Sequence, residues 1–172
     1  MAFFQFHPTA LMAENKRPFL ITEALRGEGG ILLDDIGLDS YRKSNSTPEG
    51  FSFTLEFSSK GSLATRDVVA RACDQRMKVT GADYVWLVTD HLDQDKLHSH
   101  FPNIKLRLEE LGLSLGKDPL PVAPAAHYMV GGLNVDIDGR VLMKSGDSIP
   151  GLYAIGEVAC TGMHGANRLR QT

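Results

Sequence analysis

Strand-like segments lie at both ends of this chain, and helix-like segments lie between them. The first strand is predicted over residues 3–6, and the last is the short apolar run of residues 152–155. Apolar side chains recur at helical spacing over residues 65–78, and residues 92–98 and 104–111 have shorter helical patterns. This order predicts an α+β fold in which a lobe is inserted between pieces of another sheet, so that the two chain ends belong together.

Local signals predict where the elements near the N-terminus begin and end. Pro8 lacks the N–H that a strand ladder needs, so we expect the first strand to stop at His7. Good helix formers follow over residues 19–26, and the glycines after them end the predicted helix. Thr65 is the expected N-cap of the long helix, which places Arg66 in its first turn.

Two segments lack helical spacing. Residues 37–61 are rich in Ser, Gly, Lys and Glu. This composition predicts a surface loop with at most one strand, over residues 51–57. Residues 118–142 contain three prolines, which exclude a helix. Within them, residues 137–140 predict a hairpin turn between alternating strands.

Composition limits the classes of function. The 172 residues are 42% hydrophobic and 23% charged, as in globular proteins with one sizeable core or a core plus a small lobe. The net charge of −3 provides no basic field, so nucleic acid is not an expected partner. No apolar run reaches the roughly 20 residues that span a bilayer, and the first residues lack a signal-peptide pattern. We therefore expect a cytoplasmic protein without a membrane segment.

The cysteines and several histidines predict no metal or disulfide chemistry. Cys73 and Cys160 have neither the number nor the spacing of a disulfide framework or a zinc site, so free thiols are expected. No pair of histidines has the close spacing of a zinc helix, and no metal site is predicted. We expect His91, His98 and His100 to lie solvated on the surface.

Another set of polar residues needs a chemical explanation, although a single histidine is more often structural than functional. His7, His127 and Arg168 lie at predicted strand ends or in glycine-flanked turns, where the backbone leaves space for a ligand. An arginine suits a carboxylate there, because its planar guanidinium pairs bidentately, so a dicarboxylate pocket is predicted. The whole set comprises His7, Thr22, Glu23, Arg26, Arg66, Asp67, His127, His164 and Arg168.

The last strand presents a carboxylate directly after a glycine, at Gly156-Glu157. This pattern is typical of half of a dinucleotide site, whose other half is a G-x-G-x-x-G turn that opens a helix. The chain contains no such turn.

Five segments, in order along the chain, resemble the flavoprotein family of succinate dehydrogenase, fumarate reductase and L-aspartate oxidase. They are FFQFHPTAL (3–11), LITEALRGEGG (20–30), LATRDVVARA (63–72), PVAPAAHYMVGGLNVDIDGR (121–140) and IPGLYAIGEVACTGMHGANRL (149–169). The resemblance implies that residues 1–128 form a capping, or substrate-lid, domain of a fumarate reductase-like flavoprotein. It implies that residues 129–172 are a partial C-terminal return of the FAD-binding domain.

The resemblance also implies a cofactor and the reason why half of its site is missing. In this family the G-x-G-x-x-G turn lies in an N-terminal Rossmann domain, which this chain does not contain. FAD is therefore the expected cofactor of the full-length parent, whose FAD domain is the expected partner of this chain. Glu157 matches the acidic residue that binds the ribityl chain of FAD. By itself the chain is expected to be inactive.

Residue by residue, the resemblance implies roles in binding a dicarboxylate and in moving a proton. Removal of hydride from one carbon requires a proton to leave the neighbouring carbon or nitrogen. Arginine is an unusual base, since its pKa lies above about 12, so it needs a dehydrated site and acidic neighbours. The competing interpretation is that Arg66 only pairs with a surface acid such as Asp67 or Glu56. Proton transfer is implied for Arg66, and substrate binding for His7, Thr22, Glu23, His127 and Arg168.

Within the family, residues 124–128, 135–140 and 161–165 are more similar to the aspartate-oxidising branch. This implies oxidation of L-aspartate to iminoaspartate on the route to quinolinate and NAD, with quinolinate synthase as the pathway partner. The alternative is the flavoprotein subunit of a succinate dehydrogenase or fumarate reductase, which acts on succinate or fumarate beside an iron–sulfur subunit. A third alternative is an inert substrate-binding lid. Residues 38–52 form a longer segment than is usual in the family and have no predicted function.

Overall fold

The computed structural model describes residues 2–13 and 19–165, which divide into two compact units. The central unit comprises residues 7–125, and the end unit comprises residues 1–6 together with 126–172. Helices and strands are mixed, as predicted. Both described chain ends belong to the end unit, in agreement with the sequence pattern. The capping-domain identity and its boundary at residue 128 stay predictions.

Five strands form a sheet in the order β2-β1-β5-β4-β3, and β1 and β5 continue past the boundary of the central unit. Neighbours with a described register, β1–β2, β3–β4 and β4–β5, are antiparallel. The strands are β1 (Phe3–Leu11), β2 (Phe19–Leu20), β3 (Ile31–Leu33), β4 (Val85–Val88) and β5 (Leu120–Val130). The helices are α1 (Glu23–Gly27), α2 (Asp35–Lys43), α3 (Arg66–Thr80), α4 (Gln94–His100) and α5 (Pro102–Glu109).

The long helix α3 has the predicted start. Thr65 occupies the N-cap position with an extended backbone, and Arg66 is the first helical residue. The Thr65 hydroxyl donates to the Asp67 carboxylate at 2.6 Å and does not accept a backbone N–H. Gly81 ends the helix in the left-handed conformation, at φ +73°, which a residue with a Cβ adopts only with strain.

The sheet carries hydrophobic cores on both faces, because side chains alternate along each strand. Leu32 belongs to the larger core, which buries Val69, Leu87 and Leu108 among others. Its neighbours Ile31 and Leu33 point to the other face and belong to a smaller core. That smaller core is formed by Ile31, Leu33, Leu38 and Val88, with Tyr41, Phe51 and Trp86 packed against it.

The prediction of a surface loop over residues 37–61 is wrong in part. The segment contains the rest of α2 and three short 3-10 turns, Pro48–Phe51, Phe53–Glu56 and Gly61–Leu63, and the strand predicted at 51–57 is absent. Leu38 and Phe51 help to cover the outer face of β3 and β4. The polar composition misled the prediction, since Ser52 and Thr54 are buried here beside Phe53.

Two predicted boundaries near the N-terminus are also wrong. β1 runs through Pro8 to Leu11. Pro8 lacks a backbone N–H, which removes one hydrogen bond between strands, but strand pairing continues beyond it. Ala10 pairs with Leu20, and the Met12 N–H donates to the Pro121 carbonyl at 2.9 Å. The helix predicted over 19–26 begins only at Glu23, since its first two residues form β2.

Two of the three histidines expected on the surface are half-buried structural residues. His91 Nε2 lies 2.9 Å from the Gly29 carbonyl, and His98 Nε2 lies 3.0 Å from the Leu115 carbonyl. Only His100 is exposed, and its Nδ1 lies 3.2 Å from Glu28. An imidazole N–H can bond a loop carbonyl, and the sequence pattern does not reveal which histidine does so.

The described part of the end unit contains two short strand pairs. β6 (Leu133–Asn134) and β9 (Ala159–Cys160) form a parallel pair. β7 (Arg140–Leu142) and β8 (Ser148–Tyr153) form an antiparallel pair. The predicted hairpin turn at 137–140 is confirmed, with Gly139 at φ +78°. The Asp136 carboxylate accepts the N–H groups of Asp138 and Arg140, both at 2.9 Å.

The free edge of the five-stranded sheet is closed by buried hydroxyl groups. β3 is an edge strand, and the backbone groups of Leu32 point away from β4. The Leu32 N–H donates to Ser62 Oγ at 3.0 Å, and Ser52 Oγ donates to the Leu32 carbonyl at 2.7 Å. Ser52 also contacts the Thr54 hydroxyl at 2.7 Å. These side chains replace the missing neighbouring strand.

We expect Ser62→Ala to destabilise the protein by about 1–3 kcal/mol, because the buried Leu32 N–H loses its acceptor. The matched control is Ser99→Ala on the exposed surface of α4, which should change stability by less than about 0.5 kcal/mol. Urea unfolding of both variants measures the difference. Equal midpoints for the two variants would contradict this role of Ser62.

Candidate functional site

The first residues of α1 and α3 form an ion pair. Arg66 donates from Nε to Glu23 Oε2, although the two residues lie 43 positions apart in the chain. The Arg66 side chain is 26% exposed and the Glu23 side chain 41%. A guanidinium that is partly dehydrated but still accessible can both contact a ligand and exchange protons with its carboxylate partner.

A second arginine lies behind this pair. The Arg26 side chain is 1% exposed, and its Nη1 donates to the Ser62 carbonyl at 2.5 Å and to the Ala64 carbonyl at 3.5 Å. Arg26 Nη2 lies 3.6 Å from Glu23 Oε1. Burial lowers the pKa of Arg26, and the charge of Glu23 opposes that shift. Glu23 thus lies between two guanidinium groups, one buried and one accessible.

The competing interpretation, an ion pair of Arg66 with a surface acid such as Asp67 or Glu56, differs from the structure in the partner. Asp67 pairs with Arg71 at 2.8 Å and accepts the Thr65 hydroxyl. Glu56 pairs with Arg76. The partner of Arg66 comes from α1, which pattern reasoning along α3 does not identify.

His7 is held by its own strand and linked to α1. The ring is 6% exposed, and the Thr9 N–H donates to His7 Nδ1 at 3.3 Å. Thr9 is fully buried, and its hydroxyl donates to the Ile21 carbonyl at 2.9 Å while the Ile21 N–H donates back to the Thr9 carbonyl. Thr22 follows directly, as the N-cap of α1.

The structure therefore links four of the predicted site residues within the central unit. His7 connects through Thr9 and Ile21 to the start of α1. That start carries Thr22, whose exposed hydroxyl accepts the Ala24 N–H at 3.4 Å, and Glu23, which binds Arg66. Arg26 and Thr9 were not among the predicted binding residues. Their contacts with Glu23 and His7 depend on burial, which the sequence does not show.

The remaining predicted residues belong to the end unit. His127 is half-buried in β5. Glu157 is exposed on the short 3-10 turn Gly156–Val158, and its Oε1 accepts the Met129 N–H at 2.6 Å. Arg168 lies outside the described residues.

The neighbourhood of Glu157 fits the hydroxyl-bearing part of a cofactor such as FAD. One carboxylate oxygen is held by a backbone donor, so the exposed carboxylate keeps a fixed position in which it can accept hydroxyl protons. Gly156 has φ +70° and open space where a Cβ would lie. A cavity of about 370 Å³ lies beside it, lined in part by Tyr128, Ile155 and His164. Among residues 2–13 and 19–165, no group of three His, Cys, Asp or Glu side chains could hold a metal ion.

The family model of the FAD binding domain matches residues 1–172, so the chain belongs to this family. The predicted cofactor, FAD, is confirmed by this membership. None of the helices in the described segments is long and apolar enough to cross a bilayer.

Curated relatives are aspartate oxidases. The L-aspartate oxidase of Yersinia pestis is 46% identical over 169 residues, which are 98% of this chain and 28% of that protein. The chloroplastic L-aspartate oxidase 2-a of Nicotiana tabacum is 45% identical over 177 residues, which are 98% of this chain and 24% of that protein. The chain thus spans about a quarter of the length of these relatives. The predicted family resemblance is confirmed.

Solved structures with a similar fold are fumarate reductases. A mutant of the E. coli quinol fumarate reductase has a TM-score of 0.71 and 35% identity, over 98% of this chain and 28% of that chain. A quinol–fumarate reductase with menaquinol has the same TM-score and 36% identity, over 98% of this chain and 29% of that chain.

We expect Arg26→Met to lower the free energy of unfolding by about 1–3 kcal/mol. The substitution keeps most of the buried volume, but it leaves the Ser62 and Ala64 carbonyls without their donor. Arg71→Met, on the exposed face of α3, is the control and should cost less than about 1 kcal/mol. Chemical denaturation measures both variants, and a stable Arg26→Met protein would contradict the anchoring role.

Proposed function

We propose that this chain is part of a flavin-dependent enzyme that oxidises L-aspartate to iminoaspartate. The observation that carries the proposal is the 43–46% identity to aspartate oxidases along 98% of the chain. The identity to the similar fumarate reductase structures is lower, at 35–36%. Because the chain covers only about a quarter of those relatives, the activity is proposed for the full-length parent.

Within that parent, we assign residues 1–128 to a substrate lid and residues 129–172 to part of the FAD-binding domain. The central unit supports the first assignment, since it carries the linked residues His7, Thr22, Glu23 and Arg66. The end unit supports the second, since it presents Glu157 beside an open glycine turn.

The reaction removes a hydride from the substrate carbon and a proton from the neighbouring nitrogen. FAD, when bound, accepts the hydride and its electron pair. The chain's own residues have to take the proton, and Arg66 is the proposed group. A proton that enters the guanidinium from the substrate can be matched by one that leaves Nε for Glu23 Oε2. The paired carboxylate therefore removes the need for a long-lived neutral arginine.

Substrate binding falls to the hydrogen-bond donors of the proposed site. A dicarboxylate needs donors at both ends, and imidazole N–H, hydroxyl and guanidinium groups supply them. His7 and Thr22 lie on linked segments of the central unit. We propose that they act with His127 and Arg168, and that Glu23 acts through Arg66.

The second candidate is the flavoprotein subunit of a fumarate reductase or succinate dehydrogenase. The TM-score of 0.71 to quinol fumarate reductase favours it. The same residues would then hold succinate or fumarate, and turnover with each dicarboxylate distinguishes the two candidates.

In the full-length protein, we expect Arg66→Leu to lower turnover by about 10²–10⁴-fold, the usual contribution of general acid–base catalysis. Substrate affinity should change far less, because the arginine acts mainly in the transition state. Steady-state kinetics with aspartate and with succinate measures the effect, and Arg71→Leu on the same helix is the control. Near-normal turnover of Arg66→Leu on both substrates would remove Arg66 from the mechanism.

We also expect Glu157→Gln to weaken FAD binding in the full-length protein about tenfold or more. Glutamine keeps an acceptor for the Met129 N–H but loses the charge, and hydrogen bonds to charged groups contribute about 1.5–3 kcal/mol. Flavin fluorescence titration measures Kd, with Glu109→Gln on exposed α5 as the control. Equal affinities for the two variants would argue against a cofactor role of Glu157.

A further inference from the structure

We propose that Thr9 is a positioning residue that holds the proton of the His7 ring on Nε2, so that His7 acts as a hydrogen-bond donor. The inference rests on the proposed role of His7 in binding the substrate. It adds the tautomer of His7 and the supporting residue Thr9, neither of which the sequence motifs identified.

Two atoms of Thr9, the backbone nitrogen and the hydroxyl oxygen, lie within hydrogen-bond distance of His7 Nδ1. A backbone N–H can only donate, and that of Thr9 lies 3.3 Å from His7 Nδ1. Nδ1 must therefore be the unprotonated nitrogen, since two N–H groups would repel each other there. In a neutral imidazole the proton then lies on Nε2.

The Thr9 hydroxyl oxygen also lies 3.4 Å from His7 Nδ1, but its proton points elsewhere. It donates to the Ile21 carbonyl at 2.9 Å, and the Ile21 N–H donates to the Thr9 carbonyl at the same distance. This pair of bonds keeps the Thr9 backbone in place against the ring. It also fixes Ile21, the residue directly before Thr22 and Glu23.

Burial makes these contacts difficult to replace. Thr9 is fully buried and His7 is 6% exposed, so water cannot readily take over the contacts between them. One threonine consequently sets both the tautomer of His7 and the position of the first turn of α1.

The tautomer matters because the proposed ligand is an anion. Nε2–H attracts a carboxylate oxygen, whereas a lone pair on Nε2 would repel it. The choice therefore decides whether His7 aids binding or opposes it. Loss of the tautomer should appear mainly in KM, since the contact is made to the bound substrate as well as to the transition state.

The direct test is the tautomer of His7 in the 172-residue chain. Long-range proton–nitrogen correlations of ¹⁵N-labelled histidine are recorded at about pH 8, above the ordinary histidine pKa of about 6.5. His7→Gln identifies the His7 signals among those of the six histidines. A proton on Nε2 supports the inference, and a proton on Nδ1 or a mixture of tautomers overturns it.

Kinetics of the full-length protein supply the second test. Glutamine places an amide N–H near the position of Nε2 and asparagine near that of Nδ1, so the KM of His7→Asn should lie about tenfold or more above that of His7→Gln. Thr9→Val keeps the backbone N–H but loses the hydroxyl bond to Ile21 that holds it in place, so it should raise KM about tenfold with a smaller change in kcat. Thr9→Ser should restore KM. Equal KM values for the Gln and Asn variants would overturn the inference.

The two tests separate this inference from the proposed function. If wild-type protein turns over neither aspartate nor succinate, the proposed function fails, while the tautomer measurement still decides the state of His7. If turnover is normal but His7 carries its proton on Nδ1, the inference alone fails. Should Thr9→Val not fold, the wild-type tautomer and the two His7 variants remain decisive.

Discussion

The buried guanidinium of Arg26 is the interaction on which the candidate site depends. It binds the Ser62 and Ala64 carbonyls directly before α3, and it lies beside the Glu23 carboxylate on α1. The two helix starts are thereby held together, so that Arg66 meets Glu23. A buried charge is costly unless it is paired and hydrogen-bonded. Here Nη1 is hydrogen-bonded to the two carbonyls and Nη2 lies 3.6 Å from the Glu23 carboxylate.

The segment that begins with α2 has a structural explanation. Leu38, Tyr41 and Phe51 cover the outer face of β3 and β4, and Ser52 closes the β3 edge. Tyr41 also donates to Asp90 at 3.1 Å, and the Trp86 Nε1–H donates to Asp35 at 2.6 Å. Residues 38–52 therefore cover a sheet face that would otherwise expose apolar side chains to water.

Local sequence patterns predicted correctly those elements whose structure depends on their own residues. Apolar spacing and a capping threonine predicted α3, and three prolines excluded a helix in the segment that forms β5. They failed where tertiary pairing outweighs local preference. β1 continues through Pro8 because its neighbours pair on both sides, and Phe19–Leu20 joins the sheet instead of α1 for the same reason. Arg168, one of the predicted substrate residues, lies outside the part of the chain that the structure describes.

The sequence by itself determined the family, the cofactor and the candidate residues, because these follow from motifs whose residue types and spacing are visible along the chain. Only the tertiary structure decided which of those residues meet. Arg66 and Glu23 lie 43 positions apart, and Arg26 binds a carbonyl 36 positions away. Burial and hydrogen-bond partners arise when the chain closes on itself, so Arg26 and Thr9 acquired their roles only in the folded protein.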